Sequence, residues 1–399
     1  MLEEVLGSAL LRRRLGHRLL FARTNFRLKR SLAATMVVVV SGCGSPADSP
    51  QEPVLSWDLT PEIRLGAQSG PSALYRVSAR STTMGPDGSF YVLDKGNHRV
   101  VTFSPEGDFV GAFGSKGDGR SELAYPMALL GPRGDTLWVL DGPSRSYKLF
   151  TTNGRFLETR RVRGSAASED QRYIADGIVL VEILGYRDDS AEVTDRLVLI
   201  RGVGDTVTLS SHTRTAPGTY VIPVCNYIVP AEPLFRHILW WDAAGDMIAA
   251  TYGAEYSVQL FRGGRFTGNL ERAIAPAAIS EALAREEVGD GSTWSIAGRG
   301  CTADPEEELA ARGFEGFRQV IRGVRVDPAG WIWVRRHAAL PGEDNRYRID
   351  VFDSAGTFHG TLPPDTPWPG MFTPDGRVVR RELDGLDIEY LVVYRIDRN

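Results

Sequence analysis

Six times along the chain a glycine-bearing turn gives way to a short, densely apolar run. The turn glycines are Gly88, Gly134, Gly177, Gly245, Gly330 and Gly376. The runs behind them include Phe90–Leu93, Leu137–Leu140, Ile178–Val181, Met247–Ala250, Trp331–Val334 and Val378–Val379. Apolar runs this short, bounded by turn chemistry, predict β-strands. The turn residues suit a tight reversal. In Pro86-Asp87-Gly88, proline sets φ early and glycine accepts positive φ later.

Several units continue in the same way. Val100–Phe103 runs through Ser104-Pro105-Glu106-Gly107 into Phe109–Phe113. Tyr147–Phe150 runs through Asn153-Gly154 into Phe156, and Ile349–Phe352 through Ala355-Gly356 into Phe358. Each unit is therefore a meander of three or four antiparallel strands. The turn glycines are separated by 46, 43, 68, 85 and 46 residues. A four-stranded unit recurring at about 40–50 residues predicts an all-β, six-bladed β-propeller. The last unit ends without an outer strand, and Trp57–Leu65 can supply it and close the ring, which removes an exposed edge.

The two long separations call for insertions. Residues 201–236 contain Pro217, Pro223, Pro230 and Pro233 and read as extended loop and irregular strand. Residues 276–317 read as a helical insertion between blades four and five. Ile279, Ala282 and Leu283 share one face of 276–288. Asp304, Pro305 and Gly313 are an N-cap, a first-turn proline and a C-terminal glycine for a second helix. Such an insertion is either a lid over a binding site or a structural plug.

The stretch from Asp94 through Asn97-His98-Arg99-Val100 to Phe103 resembles the end of an NHL repeat. Residues 57–399 as a whole resemble bacterial six-bladed propeller lipoproteins of NHL-like type. The motif is complete in the first blade; Asp141 persists in the second, but Asn-His-Arg does not recur.

Charge changes the picture at the N-terminus. Residues 1–42 hold eight Lys/Arg and two acids, which leaves 38 basic and 48 acidic residues beyond them, although the whole chain is only −4. So acidic a body lacks the electrostatic footprint of a nucleic-acid binder. Arg27–Arg30 followed by the apolar run Leu32–Val40 reads as a signal segment too short to span a bilayer. Val40-Ser41-Gly42-Cys43 resembles the lipobox of bacterial lipoproteins, which implies acylation of Cys43. The segment ahead of the apolar run is long, and residues 1–25 read as lying upstream of the true start. Residues 43–55 read as a flexible tether and 56–399 as the propeller. The expected location is the cell envelope, lipid-anchored, and by family analogy the absence of Asp after Cys43 directs it to the outer membrane or periplasmic face. In that oxidising compartment Cys225 and Cys301, one in each insertion, form a disulfide; two unrelated thiols are the alternative.

Candidate chemistry is sparse. No nucleophile elbow, phosphate loop or zinc spacing occurs, and His98, His212, His237, His337 and His359 lie far apart. Asp94, Asp141, Arg336 and Glu382 end the apolar runs and are expected to converge at the axial mouth, where a solvated, salt-bridged rim is the leading reading and a site for a polar ligand or cation the alternative. The leading function is a lipid-anchored binding scaffold for a protein, peptide or glycan, without a cofactor. The alternative is a hydrolase or lyase with Ca²⁺ or Zn²⁺ on the axis.

Overall fold

A computed structural model describes residues 52–142, 146–161, 170–185, 191–202, 205–296, 299–337 and 347–398. The leader and Cys43 lie outside the described residues. Six four-stranded antiparallel sheets form the blades, in the order expected. Blade one is Thr82–Met84, Phe90–Asp94, Arg99–Phe103 and Phe109–Phe113. Blade two is Pro126–Arg133, Thr136–Asp141, Ser146–Thr151 and Phe156–Arg161; blade three is Gln171–Ile174, Gly177–Leu184, Glu192–Gly202 and Asp205–Thr215. Blade four is Trp240–Ala244, Met247–Thr251, Ser257–Arg262 and Arg265–Glu271. Blade five is Ile321–Val326, Ile332–His337, Tyr347–Phe352 and Phe358–Thr361. Blade six takes Met371–Phe372, Val378–Leu383 and Glu389–Arg398, and Trp57–Leu65 completes it.

All six turn glycines have positive φ, from 57° at Gly134 to 149° at Gly177. The apolar runs are the second strands. Phe90–Asp94 and Met247–Thr251 are buried at every position because neighbouring blades cover both faces, whereas the outer strand Phe109–Phe113 is largely exposed. A strand covered on both faces reads as a continuous apolar run rather than an alternation. The core is accordingly divided into clusters at the blade interfaces. Val100, Leu129 and Phe150 join blades one and two, for example, and Met247, Val324 and Phe352 join blades four and five.

Ring closure follows the expected scheme. Trp57 pairs with Arg398 and Leu65 with Leu391, with a register shift between Pro61 and Ile63. Trp57 packs edge-on to Trp331 at 5.1 Å and beside Trp333 at 5.9 Å, both from blade five.

The tether boundary needs correction, because the chain is already docked from Glu52 onward. Leu55 N donates to Thr361 O at 2.9 Å, and Thr361 N donates to Pro53 O at 2.7 Å, so Val54 lies parallel to the outer edge of blade five. Glu52 itself pairs with Arg272 and Arg336.

The insertions also differ from expectation in part. Residues 205–215 are the outer strand of blade three, and Gly218–Ile222 with Tyr227–Ala231 form a regular hairpin. The prolines that suggest irregularity sit at its ends and edge. Between blades four and five lie α1 (Glu281–Val288) and α2 (Pro305–Arg312), joined by a hairpin of Thr293–Ile296 and Arg299–Thr302. Ser280 caps α1, while Asp304 accepts from Glu306 N and Glu307 N at 3.0 Å to cap α2. The helices bury Ala284 and Leu309 against Leu234 and Ile279.

Candidate functional site

The first strand of each blade faces the axis. Thr83, Leu130, Tyr173, Ala244, Pro328 and Pro374, one from each blade, help line a central cavity of about 380 Å³. A layer of charge crosses it. Asp242, 3% exposed, accepts from Arg172 Nε at 3.0 Å, from Arg80 at 3.5 Å and from the backbone N–H of Val326 at 3.2 Å. Arg80 Nε also forms an ion pair with Asp170 at 2.6 Å. Arg325 donates to the carbonyls of Pro369, Gly370 and Val324.

Burial alone would raise the Asp242 pKa; Arg172, Arg80 and Arg325 outweigh it and hold the carboxyl below its usual range. Burial pulls Arg80 down to about 9, helped by Arg172 and Arg325 and opposed by Asp170 and Asp242. It remains charged at neutral pH. Both acids of the layer are engaged.

The four residues expected to form the axial mouth do not meet there. They end second strands, one strand farther from the axis than the cavity wall, and they serve the framework. Asp94 accepts from Tyr75 N at 3.0 Å, Asn97 Nδ2 at 2.8 Å and Arg99 Nε at 2.9 Å. Asp141 accepts from Tyr125 N at 2.7 Å and pairs with Lys148 at 3.5 Å. Each aspartate thus pins the connection leading into its own blade. Arg336 is buried between Asp350 at 2.8 Å and Glu52 at 2.6 Å. Glu382 pairs with Arg380 at 3.2 Å and accepts from the Tyr394 hydroxyl.

Cys225 and Cys301 are joined in a disulfide with Cα atoms 6.1 Å apart, which links the hairpin insertion to the helical one. His212 and His237 pack on the same Tyr252 ring, and the other described histidines have separate partners. His98 Nδ1 meets Leu123 O at 2.8 Å, His212 stacks on Tyr252 at 4.2 Å, His237 Nε2 lies 3.1 Å from Phe317 O, and His359 pairs with Asp353. Among the described residues no three His, Cys, Asp or Glu side chains stand together as a metal-binding group.

A second charged feature lies where blade five faces blade six, next to the helical insertion. Arg322 and Arg335 come from the first two strands of blade five, Arg318 from the lead-in and His337 from the strand end. The His337 backbone N–H bonds Val320 O at 3.2 Å, and Arg335 Nη2 donates to Arg322 O at 3.1 Å. Arg335 lies over Tyr347 at 4.8 Å and over Trp368 at 5.0 Å; Arg325 covers Trp368 at 5.3 Å. Gly323 makes this stacking possible, since a Cβ there would stand 2.9 Å from the Trp368 ring. Burial draws Arg335 down to about 10. Burial, then Arg318, Arg322 and Arg335, draws His337 down to about 3, so the ring is neutral at physiological pH. Sequence reasoning does not find this group. Its members come from different strands and a lead-in loop, with no shared spacing to expose them.

The chain matches no family model, and no curated protein sequence is similar to it. Among solved structures it resembles a protein of Bacteroides fragilis described as exported, at 14% identity over 86% of this chain and 97% of that one, with a TM-score of 0.48. It also resembles a DUF4221 family member from Bacteroides vulgatus, at 8% identity over 86% and 99% of the two chains, with a TM-score of 0.45. No residue role passes from either to this chain. By its own strand order the chain is an all-β six-bladed propeller. Its distinguishing parts are a charge layer on the axis, two disulfide-linked insertions and a basic cluster where blade five faces blade six.

Proposed function

We propose that this propeller is an exported lipoprotein of NHL-like type, anchored through Cys43, that acts as a binding scaffold for a protein, peptide or glycan. The observation that carries the reading is the Cys225–Cys301 link. It ties two insertions from different blades into one platform, and disulfides form and persist in oxidising compartments. A cross-linked platform of hairpin and helices offers a partner a surface whose shape is set beforehand, which lowers the ordering cost of binding. The lipobox at Val40–Cys43 supplies the anchor, and two or three acyl chains suffice for stable attachment.

The alternative, a hydrolase or lyase with an axial metal ion, is less well served by the residues present. The axis carries Arg80, Arg172 and Arg325, and the Asp242 carboxylate is taken up by two arginines and a backbone N–H. That environment opposes a divalent cation. Elemental analysis of purified protein, with and without chelator, separates the readings: stoichiometric Ca²⁺ or Zn²⁺ revives the enzyme. Metabolic labelling with palmitate tests the anchor. Label on the wild type that disappears in Cys43→Ala is the expected result, and no label on the wild type removes the lipoprotein reading.

A further inference from the structure

The basic cluster where blade five faces blade six holds buried donors that no protein acceptor meets. The Nε atoms of Arg318, Arg322 and Arg335 and Nε2 of His337 are buried, and none has a hydrogen-bond partner. Among the described residues these three arginines form no ion pair. Glu287 of α1 lies near enough to favour the charged form of Arg318. Elsewhere buried arginines have carboxylate partners, except Arg325, which donates to three backbone carbonyls. Arg336 and Arg272 share Asp350 and Glu52, and Arg80 and Arg172 share Asp242. A buried donor left without an acceptor costs about 1–3 kcal/mol, and more when charged. Converging cations add mutual repulsion.

The arrangement is also held in place. Arg335 is clamped between Tyr347 and Trp368, and its Nη2 is fixed on Arg322 O. The first two strands of blade five set the spacing of Arg322, Arg335 and His337, with a register shift between Ile321 and Gly323 beside Arg322. Guanidinium groups held this way suit carboxylate and phosphate oxygens. The neutral His337 ring adds one donor when its proton sits on Nε2.

We infer that this cluster is an oxyanion-binding site, occupied by a phosphate or carboxylate group that accepts from Arg318, Arg322, Arg335 and His337. The inference deepens the binding reading above and rests on it: the anion is the part of the ligand that the scaffold recognises chemically. The half-exposed Tyr347 at the rim supplies an aromatic surface for whatever carries the charged group.

The test is calorimetry on the full folded chain at constant ionic strength, titrating inorganic phosphate and D-glucuronate separately against a chloride background. Binding of either probe, weakened at least tenfold in Arg322→Gln and in Arg335→Gln but retained in Arg262→Gln on blade four, supports the site. The tighter probe tells whether the natural group is phosphate-like or a carboxylate. Thermal melts in chloride guard against misfolding: Arg322→Gln removes an uncompensated cation, so its melting point should hold or rise, and a marked fall would assign the cluster a structural role instead. No binding of either probe by folded wild type overturns the inference. Palmitate labelling and the disulfide are unaffected by these variants, so the oxyanion site can fail while the exported-scaffold reading stands.

Discussion

Asp242 and Val326 belong to adjacent blades, yet the carboxylate of one accepts the backbone N–H of the other at 3.2 Å. The same carboxylate neutralises Arg80 and Arg172. Removing one member of a buried ion network strands the remaining charges, at a cost of about 3–5 kcal/mol. Asp242→Asn should therefore lower stability by an amount in that range in urea melts. A loss below about 1 kcal/mol would mean that water already solvates the layer.

The disulfide closes a span of 76 residues. Chain entropy sets its contribution at about 4.5 kcal/mol for such a loop. Blade four folds within that span, but its own interfaces with blades three and five are untouched by the bond. Cys225→Ser/Cys301→Ser should therefore loosen the insertions first. Limited proteolysis with mass mapping should find new cuts in 216–235 and 290–303 before any in the blades. Simultaneous digestion of blade four would refute this local assignment.

His337 gives the acid side of the stability curve a definite sign. Its pKa is about 3 in the fold, drawn down by burial and by Arg318, Arg322 and Arg335, against about 6.5 in an unfolded chain. Between those values the unfolded state binds a proton that the fold does not, so stability falls as pH drops. The slope is at most about 1.4 kcal/mol per pH unit, less where solvent reaches the ring. In His337→Gln the fall between pH 6.5 and 4 should be shallower. An unchanged slope would assign the acid limb to other groups.

Trp57 is the keystone of ring closure, wedged beside Trp331 and Trp333 with Arg398 over its ring at 5.0 Å. Trp57→Ala should cost about 3–5 kcal/mol, the usual range for a buried Trp. Loss of pairing along Glu389–Arg398 would also free a strand edge. Light scattering should then report association near the melting transition, and a variant that melts monomeric at the wild-type temperature would contradict the closure role.

The blades are readable in the sequence because their cause is local. A glycine at positive φ and a doubly covered second strand leave a mark that recurs, so Gly88, Gly134, Gly177, Gly245, Gly330 and Gly376 mark all six blades. The same strength misdirects the search for a site. Asp94 and Asp141 stand at regular places at the ends of those conspicuous strands, and the regularity reflects their role in pinning each blade's lead-in. The side chains on the axis come from inner strands of unequal length. Arg80 precedes its strand, Asp242 is in the middle of one and Arg325 is near the end of another. Depth relative to the axis, not position relative to the glycine, brings them together. The hairpin at 218–231 is obscured by prolines that a strand edge accommodates. The docking of Glu52 is invisible in the sequence because its partners, Arg272 and Arg336, follow it by more than 200 residues.

That docking has a mechanical consequence. Tension arriving along the chain from before residue 52 meets the Glu52 ion pairs and the Thr361 hydrogen bonds at the rim of blade five first. The closing strand, which begins at Trp57, is loaded only after those bonds give way. The rim of blade five thus works as a strain relief, which lets the chain be pulled by its leading end while the ring behind it stays shut.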